Sequence, residues 1–532
     1  MKRRFLVVVA ALLVAVVLAW GGTAWADQSS AQIDPSVLTE LDASGGGGVP
    51  VIVYATPGHL SDLTAELGVA NVDESLALIG AVSTDVTSAT LDDVAALPYV
   101  AYVAADTPMF GTGYDTSYDT SLDVTNAAIG LGDITPPPPV GNGYDGTGVG
   151  VAVLDSGSAD VPDLDGVNGR TRVVAFVDFV NGRRHMYDDC GHGTFVDGII
   201  AGNGESSLPV DQGGQATTQY RGVAPDANII SLKVLDSHGN GSASNLIAAI
   251  AWAIAPRQQY YIRVMNISVE GDVTCPAAYD PVDRAVDAAW KAGIVVVCSA
   301  GNEGAFGEGG ILSPGNDPYA ITVGASDTQQ TDTTSDDAVC SYSSIGPTLF
   351  DEYAKPDLVA PGNHIISLRA PGSWVDSTYP QTRVPVSTYI PGAPSWTPSV
   401  YAVMSGTSAA APVVSGAAAL LIQEDPSLTP GDVKLRLMDT AQQIATSNPY
   451  AEGAGELDVA AAVNDDATTT GYDPSAQLAN VLPPNVLLQW QNYVWSKYAW
   501  SKYAWSKYAW SKYAWSKYAW SKYAWSIVIN GE

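Results

Sequence analysis

Three residues that stand far apart in the chain could together activate a serine hydroxyl. Asp155 lies in the motif Val-Leu-Asp-Ser-Gly, His192 in Gly-His-Gly-Thr, and Ser408 in Ser-Gly-Thr-Ser-Ala-Ala-Ala-Pro. A serine is a poor nucleophile at its own pKa, so it needs a neutral imidazole within hydrogen-bond reach. That imidazole needs a buried carboxylate to fix its tautomer. These residue types therefore indicate covalent catalysis by a serine, with His192 as the base and Asp155 as its partner.

Each of these residues stands at the end of an element that the sequence predicts. Asp155 ends an apolar run, residues 149–154, that indicates a buried parallel strand. Open α/β sheets build their sites at such strand ends. His192 opens a helix-like stretch, and Ser408 begins a helix that is apolar on all sides and therefore predicted to be central. A serine at a helix N-terminus lies beside backbone N–H groups that suit a developing oxyanion.

With these motifs in the order Asp, His, Ser, the chain resembles the subtilisin family of secreted serine endopeptidases. The resemblance implies a doubly wound, mostly parallel α/β sheet with helices on both faces. It also implies hydrolysis of protein or peptide substrates, with no cofactor required for the chemistry. It covers about residues 120 to 463 and includes the segments 264–271, 319–326, 341–346, 355–362 and 453–463.

The resemblance adds an oxyanion donor to the site. The apolar run in residues 293–304 closes on Asn302 between glycines, similar to the segment that carries the family's oxyanion-hole amide. We therefore assign the Asn302 side-chain N–H and the Ser408 backbone N–H as the two donors. Each motif taken singly is ordinary turn or loop chemistry. All four in this order, at these element ends, favour a protease site.

The resemblance also points to substrate-binding residues. Residues 264–271 are similar to the family strand that pairs with extended substrate, which makes Ser268, Glu270 and Gly271 candidates. Glu270 stands where the family usually has glycine and would add negative charge near the substrate residues before the cleaved bond. Leu312 matches a position at the base of the primary pocket, where a branched side chain would make the pocket shallower. By the same resemblance the Ser313–Pro314 bond is a candidate cis peptide.

Two parts of the sequence contain residue types that bind metals. Calcium is common in the family, and Asp163 matches one ligand carboxylate. However, residues 203–221 replace the loop after the His192 helix, which in the family pairs with that carboxylate at the calcium. The sequence therefore leaves open whether a structural calcium binds. Zinc would take His192 away from the serine, although a local cluster resembles a zinc site: His185, Asp188, Asp189, Cys190 and His192.

The N-terminus predicts export. Residues 1–26 comprise a basic start, an apolar run and an Ala-Trp-Ala cleavage motif, which are typical of a signal peptide. The alternative is an uncleaved anchor, although the apolar run is short for a membrane span. In an exported chain, four cysteines allow two disulfides with three connectivities, which the sequence leaves open: Cys190, Cys275, Cys298 and Cys340.

A second unit precedes the catalytic domain. After a Gly-rich leader, residues 27–48, the pattern of residues 49–108 predicts the order β-α-β-β-α-β and hence a small ferredoxin-like α+β fold. It resembles the inhibitory prodomain of the family, so the chain's own prodomain would be a partner of the catalytic domain, residues 109–463. Autocleavage would then fall between about Thr107 and Ser121. The alternative is a permanent accessory domain.

A repetitive tail follows a linker, residues 464–489. In residues 490–526 the unit Trp-Ser-Lys-Tyr-Ala repeats six times after a degenerate copy, and residues 527–532 form the C-terminal end. A period of five scatters the Trp positions around a helix, whereas an extended ribbon carries aromatic and Lys side chains on both faces. Such a ribbon favours sugar-polymer stacking, cell-envelope attachment or self-assembly. The alternative is a repeat expansion without a selected function.

The repeat tail is basic, whereas the rest of the chain, called the body here, is strongly acidic. The formal net charge is −32, although the repeat contributes six lysines. A body this acidic is predicted to avoid nucleic acid. Two hypotheses remain. The first is a secreted endopeptidase, which would be associated with the cell envelope if the tail attaches there. The second is a surface-binding or scaffold protein that retains the protease fold. The complete set of catalytic residues favours the endopeptidase.

Overall fold

The computed structural model describes residues 31–111, 129, 143–207, 219–331, 333–390, 392–444 and 448–468. The predicted signal peptide, the repeat tail, nearly all of the linker and most of the predicted autocleavage segment lie outside these residues. Within the described ranges no helix is both long and apolar enough to cross a membrane.

The N-terminal unit is a five-stranded sheet with three helices on one face. The sheet order is β1-β5-β2-β4-β3, with β1 parallel to β5 and the other neighbours antiparallel. Without β1 the elements follow the predicted order β-α-β-β-α-β. The elements are β1 (Gln32–Ile33), α1 (Pro35–Ser44), β2 (Val49–Ala55), α2 (Leu60–Leu67), β3 (Glu74–Leu76), β4 (Ala81–Val86), α3 (Leu91–Ala95) and β5 (Val100–Ala105).

The predicted leader, residues 27–48, is wrong as a separate segment, because residues 31–44 belong to this unit. Val37 and Leu41 of α1 pack into its core. Asp34 accepts the N–H of Ser36 at 2.8 Å and so caps α1, whose first residue is a proline. Gly45 ends the helix with φ of 63°, in the left-handed region that favours glycine. The glycine run is therefore a turn inside the unit.

The catalytic unit is built on an eight-stranded sheet. Its strands are β7 (Gly150–Asp155), β8 (Val173–Asp178), β9 (Asn228–Lys233), β11 (Ile262–Ile267), β13 (Val295–Ser299), β14 (Ile321–Asp327), β15 (Ala338–Val339) and β16 (Leu358–Pro361). The order is β15-β14-β13-β11-β7-β9-β8, with β16 also paired to β14. All pairs are parallel except β14 with β15.

Helices cover both faces of this sheet, as predicted for a doubly wound fold. They are α4 (His192–Ala201) and α9 (Thr407–Glu424) on one face, and α5 (Ala243–Ile254) and α6 (Pro281–Lys291) on the other. Val151 and Val153 of β7 pack toward α4 and α9, whereas Ala152 and Leu154 pack toward α5 and α6. Because successive side chains of a strand point to opposite faces, an unbroken apolar run places β7 at the centre.

Shorter elements surround the sheet. Region 367–404, which is long for the connection it makes, contains part of an antiparallel pair of strands. The remaining elements are β6 (Pro108–Gly111), β10 (Asn240–Ser242), β12 (Val269–Glu270), β17 (Ile365–Leu368), α7 (Trp374–Thr378), α8 (Val386–Tyr389), β18 (Tyr401–Met404), α10 (Pro430–Asp439), α11 (Pro449–Glu452) and α12 (Val459–Asn464).

The N-terminal unit packs on the catalytic unit through the sheet face that lacks helices. Tyr54 and Tyr102 of that face share an apolar core with Leu246 of α5. The Tyr102 ring lies 6.0 Å from that of Tyr279, and the Arg284 guanidinium lies 4.5 Å from the centre of the Tyr54 ring. The two units are therefore joined by a largely aromatic and aliphatic contact.

The chain then leaves the N-terminal unit through β6, which enters a second sheet. In this three-stranded sheet β6 lies between β10 and β12 and is antiparallel to both. Asp106, just before β6, accepts the N–H of Ser244 at 2.9 Å in the first turn of α5. The link between the units is thus held on both sides by the catalytic unit.

Candidate active site

The Asp155 carboxylate, the His192 imidazole and the Ser408 hydroxyl form one hydrogen-bonded line. Nδ1 of His192 lies 2.8 and 2.9 Å from the two oxygens of Asp155, and Nε2 lies 3.1 Å from Ser408 Oγ. All three residues are buried. When Nδ1–H donates to the carboxylate, Nε2 is the basic nitrogen that faces the serine. The three residues singled out in the sequence are therefore brought together.

Asp155 is fixed by the turn that follows β7. Its Oδ1 accepts the N–H of Ser156 at 2.7 Å. Lys233, fully buried at the end of β9, donates to the Ser156 carbonyl at 2.6 Å and to Asp189 at 2.7 Å. These bonds hold the turn, so the carboxylate keeps its direction toward His192.

His192 is the first residue of α4, and Asp188 holds this helix end in place. One oxygen of Asp188 accepts the N–H of Gly191 at 2.7 Å, and the other accepts the N–H of Thr194 at 2.9 Å. The carboxylate thus satisfies backbone donors that the first turn of a helix leaves without partners. It also fixes the backbone from which the imidazole projects.

Ser408 lies in the first turn of α9 and is connected to the substrate strand by a chain of buried hydrogen bonds. Ser415 donates to Asn266 Oδ1 at 2.8 Å, Asn266 donates to Ser268 Oγ at 2.9 Å, and Ser268 donates to the Ser408 carbonyl at 3.0 Å. Ser268, predicted to bind substrate, therefore also positions the nucleophile.

Asn302 is oriented by the residue before the nucleophile. Its Oδ1 accepts the backbone N–H of Thr407 at 2.9 Å and lies 3.3 Å from the Thr407 hydroxyl. With Oδ1 engaged in this way, Nδ2 is the atom of the amide that can donate a hydrogen bond. This orientation suits the oxyanion role assigned from the sequence.

The predicted substrate residues line the strand beside β6. Glu270 pairs with Phe110 in the antiparallel register, and Gly271 exchanges backbone hydrogen bonds of 2.9 and 3.0 Å with Ser313. The Ser313–Pro314 bond is cis, as predicted. A Cβ built on Gly301 would lie 2.9 Å from Leu312 Cγ, so Leu312 packs directly against the turn that carries Asn302.

The geometry around Asp163 does not fit the calcium that the resemblance left open. The Asp163 carboxylate already accepts the Tyr401 hydroxyl at 2.5 Å and the N–H of Ser206 at 2.9 Å. The buried guanidinium of Arg172 donates to the carbonyls of Asp163 and Ala227, each at 2.9 Å. Both carboxylate oxygens of Asp163 thus accept hydrogen bonds from protein groups, because β18 of the longer region 367–404 brings Tyr401 to one of them.

The local zinc cluster does not form either. Across the described parts of the chain, no three or more His, Cys, Asp or Glu side chains gather around a metal position. His192 faces Asp155 and Ser408, and Asp188 caps α4. The two disulfides that the sequence allowed are also not made, since all four cysteines are buried thiols: Cys190, Cys275, Cys298 and Cys340.

A second buried carboxyl lies near the triad in α4. Burial raises the pKa of Asp197 well above its usual range, and the negative charges of Asp155 and Asp188 raise it further. Ser158 donates a hydrogen bond to it. The protein environment therefore favours the neutral form of the Asp197 carboxyl more than water would.

Several positioning residues were not found from the sequence. Except for Asp188, they are polar residues inside apolar elements, and this placement is the signal that could have revealed them, since a buried polar group needs a partner. The group comprises Lys233 in β9, Asn266 in β11, Thr407 and Ser415 in α9, and Asp188 before α4.

Comparison with known proteins agrees with this fold and site. Residues 146–481 match the Subtilase family, and the chain belongs to that family. The chain is 40% identical to serine protease AprX of Bacillus subtilis over 59% of its own length and 65% of that protein. It is 32% identical to subtilisin DY of Bacillus licheniformis over 60% of its length and 93% of that protein.

A solved structure supports the fold alone. Fervidolysin of Fervidobacterium pennivorans, described as a keratinolytic enzyme related to subtilisin, is similar with a TM-score of 0.59 and 23% sequence identity. The match covers 80% of this chain and 62% of fervidolysin. The chain thus spans slightly less than two thirds of the length of both AprX and fervidolysin.

Proposed function

We propose that the protein is a secreted serine endopeptidase that hydrolyses extracellular proteins and processes itself from a proenzyme. The observation that carries the proposal is the buried triad beside a strand of the chain's own backbone. His192 Nε2 lies 3.1 Å from Ser408 Oγ, and β6 occupies the neighbouring cleft in the extended form that a substrate would take.

The proposed reaction has two steps, acylation of Ser408 and hydrolysis of the acyl-enzyme. Ser408 Oγ attacks the carbonyl carbon while His192 Nε2 accepts its proton, and Asp155 stabilises the imidazolium. Asn302 and the Ser408 backbone N–H stabilise the oxyanion. The C–N bond then breaks as His192 protonates the leaving amine. Water, deprotonated by the same imidazole, hydrolyses the acyl-enzyme and restores the serine.

The N-terminal unit acts in this proposal as an inhibitory prodomain. Gly111, the last described residue of β6, is opposite Val269 in the antiparallel register, and Val269 directly follows Ser268. Ser268 is bonded to the backbone of Ser408. We therefore expect processing at the bond Thr112–Gly113, inside the segment predicted from the sequence.

Secretion and surface attachment complete the proposal. Residues 1–26 direct export as a cleaved signal peptide. The Trp-Ser-Lys-Tyr-Ala repeat retains the enzyme at a cell-envelope polymer. Its aromatic rings offer stacking surfaces, and its six lysines are opposite in sign to the acidic body.

Replacement of the nucleophile tests the proposal. Wild-type protein should separate from residues 27–112, whereas Ser408→Ala should fold with that segment attached. A serine-directed fluorophosphonate should label only the wild type, at Ser408. Trimming of Ser408→Ala at the same bond in a purified system would contradict self-processing. A folded wild type that neither reacts with the fluorophosphonate nor cleaves protein would favour the scaffold hypothesis.

Removal of one oxyanion donor should lower the reaction rate without abolishing it. Asn302→Ala should still process itself, but with a rate roughly 10²- to 10³-fold lower, because one preorganised donor is lost in the transition state. The effect should appear in kcat more than in KM. Equal rates for the variant and wild type would contradict the assignment of Asn302.

A further inference from the structure

A cavity of about 410 Å³ lies inside region 367–404. It is bounded by the chain after β17, by the start of α8 and by residues 394–399. Arg369 and Arg383 line it together with Pro385, Pro394 and Pro398. Among the described residues that line it, none belongs to the triad or to the substrate strand. The cavity is therefore separate from the active site and combines cationic with apolar groups.

The two arginines share one carboxylate. Arg369 Nη1 and Arg383 Nε donate to Asp376 Oδ1 at 2.7 and 2.6 Å. Arg369 Nε also donates to the Ser399 carbonyl at 2.9 Å. Arg383 Nη2 donates to the Asp376 carbonyl at 2.8 Å. These bonds fix the planes of both guanidinium groups, so a ligand would find them already ordered, which favours binding.

The cavity has a surplus of positive charge. Asp376 balances one of the two arginines, and region 367–404 contains no other Asp, Glu, Lys or Arg. Although burial raises the pKa of Asp376, hydrogen bonds from the Gly372 N–H and from both guanidinium groups lower it below its usual value, so the carboxylate is charged. Among the described residues, Arg369 Nη2 has no hydrogen-bond partner. An anion that entered the cavity would thus meet an unbalanced charge and an available donor.

An exposed tryptophan stands at the rim of the cavity. The Trp396 side chain is 83% exposed, and its neighbours Ser395 and Thr397 both line the cavity. An indole this exposed offers an apolar, aromatic face that a ligand could cover. The rim therefore favours a ligand that carries an apolar group next to its negative charge, whereas an inorganic anion would contact the arginines alone.

The cavity is linked to the backbone that carries the catalytic base. Val375 in α7 donates its N–H to the Cys190 carbonyl at 2.9 Å, two residues before His192. The next residue of α7 is Asp376, which holds both arginines. A protein longer than the cleaved segment could therefore reach the cavity while its scissile bond lies at the triad.

We propose that this cavity is an exosite for acidic protein substrates, in which Arg369 and Arg383 hold an Asp or Glu carboxylate and Trp396 packs on an adjacent apolar residue. This inference rests on the proposed function and names its substrate class, proteins in which acidic and apolar residues alternate outside the cleaved segment. The net charge of −32 repels such proteins as a whole, so a local cationic site is what would retain them.

Binding of two matched peptides tests the exosite. One is Asp-Leu-Asp-Leu-Asp and the other Asn-Leu-Asn-Leu-Asn, both capped at each end. They are titrated by calorimetry into full-length Ser408→Ala protein, in which the chain's own β6 fills the cleft, so that binding there does not contribute. The aspartate peptide should bind about tenfold more tightly at low salt, because it alone forms charge-assisted hydrogen bonds with the arginines.

Two substitutions in the same Ser408→Ala protein locate the binding. Arg383→Gln should weaken the aspartate peptide by about tenfold, to the level of the asparagine peptide. Trp396→Ala should weaken both peptides by about threefold, and it keeps the inference testable if Arg383→Gln does not fold, because the indole is 83% exposed. The control is Arg257→Gln, at a second cavity of about 320 Å³ beyond α5, which should keep the parent affinity.

A kinetic experiment connects the exosite with cleavage. In the self-processed wild type, the aspartate peptide should raise KM for reduced, unfolded α-lactalbumin, an acidic protein, and leave KM for a short uncharged peptide unchanged. An equal rise in KM for both substrates would place the peptide in the cleft and overturn the exosite.

The remaining outcomes separate this inference from the proposed function. Equal affinity of the two peptides, or unchanged affinity in both Arg383→Gln and Trp396→Ala, overturns the exosite and leaves the peptidase intact. Binding of inorganic phosphate or trigalacturonate as tightly as the aspartate peptide overturns the assignment to protein substrates. Failure of the wild type to react with the fluorophosphonate overturns the peptidase, and with it the role of the cavity in cleavage, whatever the peptides bind.

Discussion

At the scale of single residues, the site depends on residues that each contact both a site residue and a neighbouring strand or turn. Ser268 accepts from Asn266 and donates to the Ser408 carbonyl, while its backbone continues into β12 beside the bound strand. Leu312 packs against Gly301 next to Asn302, the proposed oxyanion donor. Changes at such positions alter both alignment and binding, so substrate preference is the most informative measurement.

Leu312→Ala should deepen the primary pocket. The branched side chain is predicted to make this pocket shallow, so its truncation should raise kcat/KM for Phe or Tyr at the cleaved residue by about tenfold relative to Leu. Profiling with a peptide library measures this preference. Ile311→Ala, an adjacent buried residue, is the control. A wild-type preference for large aromatic residues would contradict the shallow pocket.

The catalytic residues could be predicted from the sequence because each lies in a short local motif at an element end. The residues that position them could not, because their partners are distant in the chain. Asn266 and Ser415 are examples, since they meet only when α9 packs on β11. The four glycines of residues 45–48 suggest a tether, whereas Asp34 and Pro35 indicate the helix start that the structure has.

At the scale of elements, α10 is attached to the main sheet by a buried charge network. Lys434 of α10 lies 3.1 Å from Asp357 and donates to the Ala320 carbonyl at 2.9 Å. Lys355 donates to the same carboxylate at 2.7 Å and the same carbonyl at 2.8 Å. One carboxylate thus faces two lysine side chains, all fully buried.

This arrangement predicts a pH-dependent stability. Burial lowers the pKa of Lys434 to about 7, from 10.5 in the unfolded chain. Between these values the unfolded chain holds a proton that the folded chain has lost, so the free energy of unfolding gains a contribution that rises with pH. Its slope is at most about 1.4 kcal/mol per pH unit.

Lys434→Met should remove this contribution, because methionine does not titrate. Denaturant unfolding between pH 6 and about 10.5, in the Ser408→Ala background to prevent self-digestion, measures the difference from the parent. The parent should gain stability over the variant as the pH rises. Lys291→Met, at an exposed ion pair, is the control. A difference that does not vary with pH would contradict the lowered pKa.

At the scale of the whole molecule, the two units attract each other despite charges of the same sign. Residues 27–111 contain twelve Asp and Glu and no Lys or Arg, and the chain as a whole carries a net charge of −32. Their contact is therefore made by apolar and aromatic side chains, including Tyr54, Tyr102 and Leu246. Repulsion between the units opposes this contact and is screened by salt.

Release of the cleaved N-terminal unit should consequently slow as salt rises. After self-processing, the lag before full peptidase activity should lengthen between about 0.01 and 0.5 M sodium chloride, because the Debye length falls from roughly 30 Å to less than 10 Å. The lag is measured with a small peptide substrate, and sucrose at equal osmolality is the control. A lag that shortens with salt would show that favourable charge pairs hold the units together.

If the proposed self-processing removes β6, the place of β6 as a middle strand limits which proteins the proposed peptidase can digest. When β6 leaves, β10 and β12 are left as two facing sheet edges with open backbone donors and acceptors. Only a chain that can offer both of its own backbone edges at once can fill the gap, and a residue inside a folded domain cannot. Cleavage would therefore require local unfolding of the target, and the cleavage rate of a folded protein should follow the population of its locally opened states.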